Sequence, residues 1–242
     1  MDIQNKNRKL LKKNHVYDET MEHDACGVGL VASTEGLKSR KVVEYGIEAL
    51  KAVWHRGAID ADGKTGDGAG IHIEIPNDFF AEKIEITGHE HDNSDLCVGM
   101  IFLPRNDFGG QEQCRSIVES ELTKKNFNIY GWRQVPVDPS VLGEKAEQTR
   151  PEITQVLFTH NDKSIHGKDL ERALYETRRK IEKEALRNQL NNFYICSFSS
   201  KSIIYKGMFL AESLSDFYPD LKDERFICLL YTSPSPRDRS SS

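Results

Sequence analysis

Long hydrophobic runs are missing from this chain of 242 residues. No apolar stretch approaches the ~18 residues that span a bilayer, and the amino-terminal MDIQNKNRKLLKKN lacks the apolar core of a secretion signal. A soluble, non-secreted protein with no membrane partner is expected. Cysteine is scarce, with Cys26, Cys97, Cys114, Cys196 and Cys228 odd in number, widely scattered and without a CxxC pair. That excludes a disulfide framework or zinc knuckle and favours a reducing compartment, the cytoplasm or, in a eukaryote, a plastid. An excess of basic residues is missing too: 33 Lys and Arg stand against 38 Asp and Glu, a net charge of −5, so no nucleic-acid partner is indicated. Internal repeats are absent.

What is present suffices for one large core, since 38% of residues are hydrophobic and 17 are Gly. Residues 1–25 place basic residues early and Asp18, Glu19, Glu22 and Asp24 later, with few apolar positions, and read as a leader or propeptide. Gly27 to Ala32 then reads as a buried strand. Val43, Ile47, Leu50 and Trp54 recur on one helical face within Ser39 to His55. After a loop from Gly57 to Gly70, the alternation of Ile71, Ile73 and Ile75 predicts a strand that Pro76 ends. Further strands are predicted at Leu96–Leu103 and Glu152–Thr159, and helices at Gln111–Lys125 and Lys168–Asn188. Phe193–Phe198 and Ser202–Tyr205 are expected to pair as a hairpin around SSK. Clustered strands with irregularly placed helices favour an α+β layered sandwich over a doubly wound sheet. Residues 227–242, ending in YTSPSPRDRSSS, read as a disordered or non-native tail.

Several stretches imitate binding motifs. Gly57 to Thr65 resembles a phosphate loop but puts five residues between its glycines where four are needed, and Asp60 and Asp62 would repel phosphate. The same stretch lacks the third acidic position of a calcium loop. His89, His91 and Asp92 share a polar loop with no second ligand pair, so a solvated loop is expected and no metal. Cys26 is the more telling residue. It is either a buried structural cysteine or a nucleophile, and no Cys-His-Asn order supplies a base. If the chain is cut before Cys26, the new α-amine, with a reference pKa of ~7.7–8.0, puts a base on the same residue as the thiol.

Three stretches carry a resemblance: His23-Asp-Ala-Cys26-Gly-Val-Gly-Leu, Ile47 to Ala58 with its His55-Arg56-Gly57, and Asp60 to Ile71. Together they resemble the amino-terminal glutaminase domain of the glutamate synthase large subunit, a class II glutamine amidotransferase. Tyr130-Gly-Trp-Arg-Gln-Val-Pro136, Thr149-Arg-Pro-Glu152, Phe193 to Ser197 and Ile204 to Ala211 resemble the same family in the same order. The resemblance implies an N-terminal-nucleophile hydrolase fold, an αββα sandwich incomplete at its carboxyl-terminal end, with a partial type 2 amidotransferase domain over residues 26–226. It implies that Cys26, as the first residue of the mature chain, attacks the side-chain amide of glutamine. Arg56 is implied beside the nucleophile pocket, and Asp67 is a candidate for its floor. The ammonia released would be transferred reductively to 2-oxoglutarate for glutamate biosynthesis. The flavin FMN, an iron-sulfur cluster, further domains and an electron-donating small subunit or ferredoxin are implied for the full-length protein, with no cofactor in this segment. Family members continue past the equivalent of Phe226 into an Arg-Phe-Ser-Thr-like motif and an Asn-Gly pair that cradles the oxyanion. This sequence contains neither, so the chain by itself is expected to be nearly inert as a glutaminase. Two other readings fit the residues: a different N-terminal-nucleophile amidase, and a non-catalytic interaction module with a structural Cys26.

Overall fold

A computed structural model describes residues 27–52, 61–91, 95–228 and 230–232. Within them the chain runs β1 (Leu30–Ala32), α1 (Arg40–Ala52), β2 (Ala69–Glu74), α2 (Asn77–Ile86), β3 (Leu96–Leu103), α3 (Phe108–Lys124), β4 (Phe127–Gln134), α4 (Glu144–Thr149), β5 (Glu152–His160), α5 (Gly167–Arg187), β6 (Tyr194–Ser199), β7 (Ser202–Gly207), α6 (Leu214–Phe217) and β8 (Leu230–Thr232). The strands form two antiparallel sheets, ordered β1-β8-β2-β7 and β4-β5-β3-β6.

Strand alternation assigns the core. Along β3, Val98 and Met100 join one buried cluster while Cys97, Ile101 and Leu103 join another; along β5, Ile153 and Leu157 separate from Val156 and Phe158 in the same way. A period of two sends successive side chains to opposite faces, so the second sheet is buried on both. One face meets Ile71, Ile73, Ile203 and Tyr205 of the first sheet. The other meets Cys114, Val118 and Leu122 of α3 and Leu170, Leu174 and Ile181 of α5. Helix α1 packs against β1, β2 and β8 through Val43, Ile47 and Leu50, completing a helix–sheet–sheet–helix order. Arg40, at the start of α1, donates to the carbonyls of Leu221 at 2.8 Å and Asp223 at 3.0 Å, tying the segment before β8 to this helix.

The predicted strands and long helices fall where the periodicity placed them, with ends shifted by a few residues, but the stretch from Gly27 to Ala32, expected as a buried strand, holds only the three-residue β1, whose Leu30 and Ala32 are exposed because it lies at the edge of its sheet. Trp54 lies outside the described residues. The expected hairpin is not one: β6 pairs with β3 in the second sheet, and β7 pairs with β2 in the first. The turn between them crosses the sandwich. Glu171 of α5 accepts from the Ser199 hydroxyl at 3.0 Å and the Ser200 amide at 2.8 Å, while Ile75 donates to the Lys201 carbonyl at 3.0 Å, so the two sides of SSK are claimed by different layers. Helix α2 and strand β4 went unread because neither carries a clean period; β4 mixes buried Phe127 and Tyr130 with half-buried polar Arg133. Residues 227–242 were expected to stand apart from the fold. Cys228 is buried and bridged to Ser39, and β8 lies between β1 and β2, because the apolar Ile227-Cys-Leu-Leu-Tyr precedes the shift to Ser and Pro.

Candidate active site

Register fixes where the strand ends meet. β1 and β2 both run antiparallel to β8, and Leu30, Thr232, His72 and Ile204 lie in line across the sheet. The amino end of β1 therefore points to the edge that holds the amino end of β2 and the carboxyl end of β7. Gly27 is the first described residue on that side. Cys26, Arg56, His55 and Asp60 lie outside the described residues.

At the same edge a cavity of about 250 Å³ opens. Asp67 borders it from the loop before β2, Ala69 from β2, Lys206 and Phe209 from β7 and the turn beyond it, and Phe102 and Ile153 from the second sheet. Its remaining wall comes from α4, the residues on either side of it, and Phe217 of α6. Three of the resembling stretches thus meet around one space: Asp60–Ile71, Thr149–Glu152 and Ile204–Ala211.

The loop before β2 is fastened by Asp62. Its carboxylate accepts from the amides of Lys64 at 2.9 Å and Thr65 at 2.7 Å and from the Thr65 hydroxyl at 2.6 Å. The Glu144 amide at the start of α4 also donates to it, and these bonds hold the Asp62 carboxyl down at about 2. Gly143 leaves room for this clasp, since a Cβ there would stand 2.1 Å from Asp62 Oδ2 and 2.2 Å from Thr65 Oγ1 and displace them. The stretch that imitates a phosphate loop is thus a clasp between β2 and α4, whose own end borders the cavity.

Lys206 lies half-buried, its Nζ donating to the Tyr194 hydroxyl at 2.8 Å and sitting 4.8 Å from that ring's centre. Asp67, exposed, borders the cavity. Arg150 is paired with Glu147 at 2.8 Å. Behind the cavity, Arg133 makes a two-pronged pair with Asp220, both contacts 2.7 Å, and donates to Gln155 Oε1 at 2.7 Å. The Tyr205 hydroxyl donates to Asp220 at 3.1 Å. This cluster ties β4, β5 and β7 to the segment before β8. Lys206 and Arg133 fall within the resembling stretches Ile204–Ala211 and Tyr130–Pro136, where the sequence alone gives neither a role.

The described cysteines differ sharply from what a nucleophile needs. Cys97, Cys114, Cys196 and Cys228 are all buried as free thiols. Burial pushes Cys114 and Cys228 up to about 11, Cys196 to about 12 and Cys97 further still. None presents a thiolate near neutral pH. His89 and His91 sit beside Tyr130, and among the described residues no group of three or more His, Cys, Asp or Glu is placed to hold a metal ion. No described helix is long and apolar enough to cross a membrane.

Two antiparallel sheets packed face to face between helical layers define, with the family match, the N-terminal-nucleophile hydrolase class. The family model for class-II glutamine amidotransferases matches residues 26–233, and the chain belongs to that family. It is 54% identical over 220 residues to the glutamate synthase [NADPH] large chain of Azospirillum brasilense, covering 91% of this chain and 14% of that protein. To ferredoxin-dependent glutamate synthase 2, chloroplastic, of Arabidopsis thaliana it is 37% identical over 222 residues, 91% of this chain and 13% of the relative. The ferredoxin-dependent glutamate synthase 2 of Synechocystis is 38% identical over 203 residues, 84% and 13% of the two lengths. The chain therefore spans about a seventh of the length of these relatives.

Proposed function

We propose that this chain is the glutaminase domain of a glutamate synthase, with Cys26 as its nucleophile. The observation that carries the reading is the family match, which opens at Cys26. The four cysteines among the described residues support it, since each is a buried thiol unsuited to be the nucleophile. Residues 1–25 act as a leader whose removal makes Cys26 amino-terminal. Its α-amine then takes the thiol proton, and the thiolate adds to the side-chain amide carbon of glutamine. The tetrahedral adduct collapses as the α-ammonium returns a proton to the leaving nitrogen, giving ammonia and a glutamyl thioester. Water, deprotonated by the same amine, cleaves the thioester to glutamate and the free thiol. Arg56 holds the substrate in the pocket.

For the whole protein we propose reductive transfer of the ammonia to 2-oxoglutarate, with electrons from NADPH or ferredoxin. FMN and an iron-sulfur cluster would supply the electron chemistry in the remaining length of such a protein, and no step above passes through them. The test is nitrogen-source discrimination in the full-length protein. Cys26→Ala abolishes glutamine-dependent glutamate formation and Arg56→Ala reduces it at least tenfold, while both spare formation from added ammonia. Equal loss with both nitrogen sources contradicts the assignment.

A further inference from the structure

Two walls of the cavity are joined by one carboxylate. Asp67 and Gly68 border the cavity from the loop before β2, and Leu142, Ala146, Thr149 and Arg150 border it from α4 and its flanks. Asp62 links the two, since its carboxylate accepts from the Lys64 and Thr65 amides and the Thr65 hydroxyl of the loop and from the Glu144 amide of α4. Asp62 is itself exposed, but Thr65 is buried, and an ionised acceptor serving several donors makes strong bonds. Helix α4 has little else to hold it. It is six residues long, well short of the length at which a helix stands alone in water, and Ala146 is its one buried residue. At its far end Arg105 donates to the Glu147 carbonyl at 3.0 Å and pairs with the Glu147 carboxylate at 2.6 Å, but those side chains are 36% and 34% exposed, where an ion pair contributes little.

Gly143, immediately before α4, shows how closely the two walls approach. Its φ of −76° and ψ of 164° are open to any residue, so its backbone does not call for glycine. The close approach does: a Cβ would stand 2.1 Å from Asp62 Oδ2, 2.2 Å from Thr65 Oγ1 and 2.7 Å from Asp62 Cγ. Thr65 is buried and its hydroxyl is bonded to Asp62, so these atoms have no free space to retreat into without opening the clasp. On the loop's other side Gly66 lies against the turn after β7, where a Cβ would come within 3.0 Å of the Phe209 carbonyl oxygen. The loop is therefore the seated half, and α4 is the half that the clasp places.

We propose that Asp62 is a positioning residue for the glutaminase reaction, acting through α4: by seating that helix against the loop before β2 it keeps the cavity at the size that retains glutamine. This rests on the reading of the chain as a glutaminase domain. A wall that bears on the substrate alike before and during the reaction changes KM and leaves kcat, whereas a smaller folded fraction lowers the apparent kcat and leaves KM. Steady-state glutaminase kinetics of a full-length protein carrying this domain test it, with Cys26→Ala as the control. Asp62→Ala and Gly143→Ala each raise the KM for glutamine about tenfold with kcat kept within about twofold, and the double variant is no worse than either alone, because both open the same clasp. Asp62→Asn, which keeps an oxygen for the two loop amides, falls between the unmodified protein and Asp62→Ala. Glutamate formation from added ammonia is unchanged in all of them. If Asp62→Ala does not fold, Gly143→Ala decides, because it keeps every polar group of the clasp and crowds it open. A KM unchanged in Gly143→Ala, a loss confined to kcat, or effects that multiply in the double variant overturns the proposal. Glutamine turnover that survives Cys26→Ala overturns instead the reading on which it rests, and the positioning role with it.

Discussion

Burial removes four of the chain's five cysteines from thiolate chemistry, and this gives the account its first test at the scale of single residues. Cys97, Cys114 and Cys228 are fully buried and Cys196 nearly so, each thiol pushed well above neutral pH by its apolar surroundings. Brief iodoacetamide treatment of the native chain at pH 8, read by peptide mass mapping, labels Cys26 and leaves the other four unmodified until denaturant is added. Rapid native labelling at any of those four contradicts their assignment as inert core residues. At this scale sequence was informative where a motif spoke and silent where geometry decides. Cys26 and Arg56 were singled out by the stretches around them. Lys206 sits in a readable strand, but its bond to the Tyr194 hydroxyl depends on the fold, which brings β6 of one sheet beside β7 of the other.

Among the elements, the loop from Ala61 to Gly68 borders the cavity through Asp67 and Gly68. Asp62 joins it to the start of α4, and its carboxyl is held at about 2, below the ordinary ~3.9 of an unfolded chain. A carboxyl whose folded pKa is lowered stabilises the fold fully above its unfolded value, and that contribution is lost as pH falls through the folded one. Melting temperatures of the chain and of Asp62→Asn therefore differ above pH 4 and converge as pH falls toward 2. A difference that stays constant over that range shows that the Asp62 charge is not what fastens the loop. The sequence marked this stretch as part of a loop. It did not show that the turn clasps α4, since Glu144 is 82 positions further along, and only the folded chain makes them neighbours.

For the whole molecule, the two sheets are held together by apolar packing and by one buried polar cluster. Arg133 and Asp220 are 14% and 5% exposed, and their pair also engages Gln155 and Tyr205 from the facing sheets. Removing one partner leaves a buried charge unmatched, so Asp220→Ala costs about 3–5 kcal/mol in denaturant unfolding, and the Arg133→Met, Asp220→Leu double variant recovers part of that loss. A loss below about 1 kcal/mol for Asp220→Ala means the pair is solvated and does not tie the layers. Alternating apolar residues made the layered α+β architecture readable, but not sheet membership: β6 and β7 are adjacent in sequence, yet Glu171 and Ile75 draw them to different sheets. The central claim is that one residue supplies both nucleophile and base once it begins the chain. Acid quenching of a full-length protein carrying this domain during glutamine turnover, followed by peptide mass mapping, tests it most directly. The account predicts a glutamyl thioester on a peptide whose first residue is Cys26. A glutamyl adduct on any other residue, or undiminished turnover with residues 1–25 still attached, would contradict it.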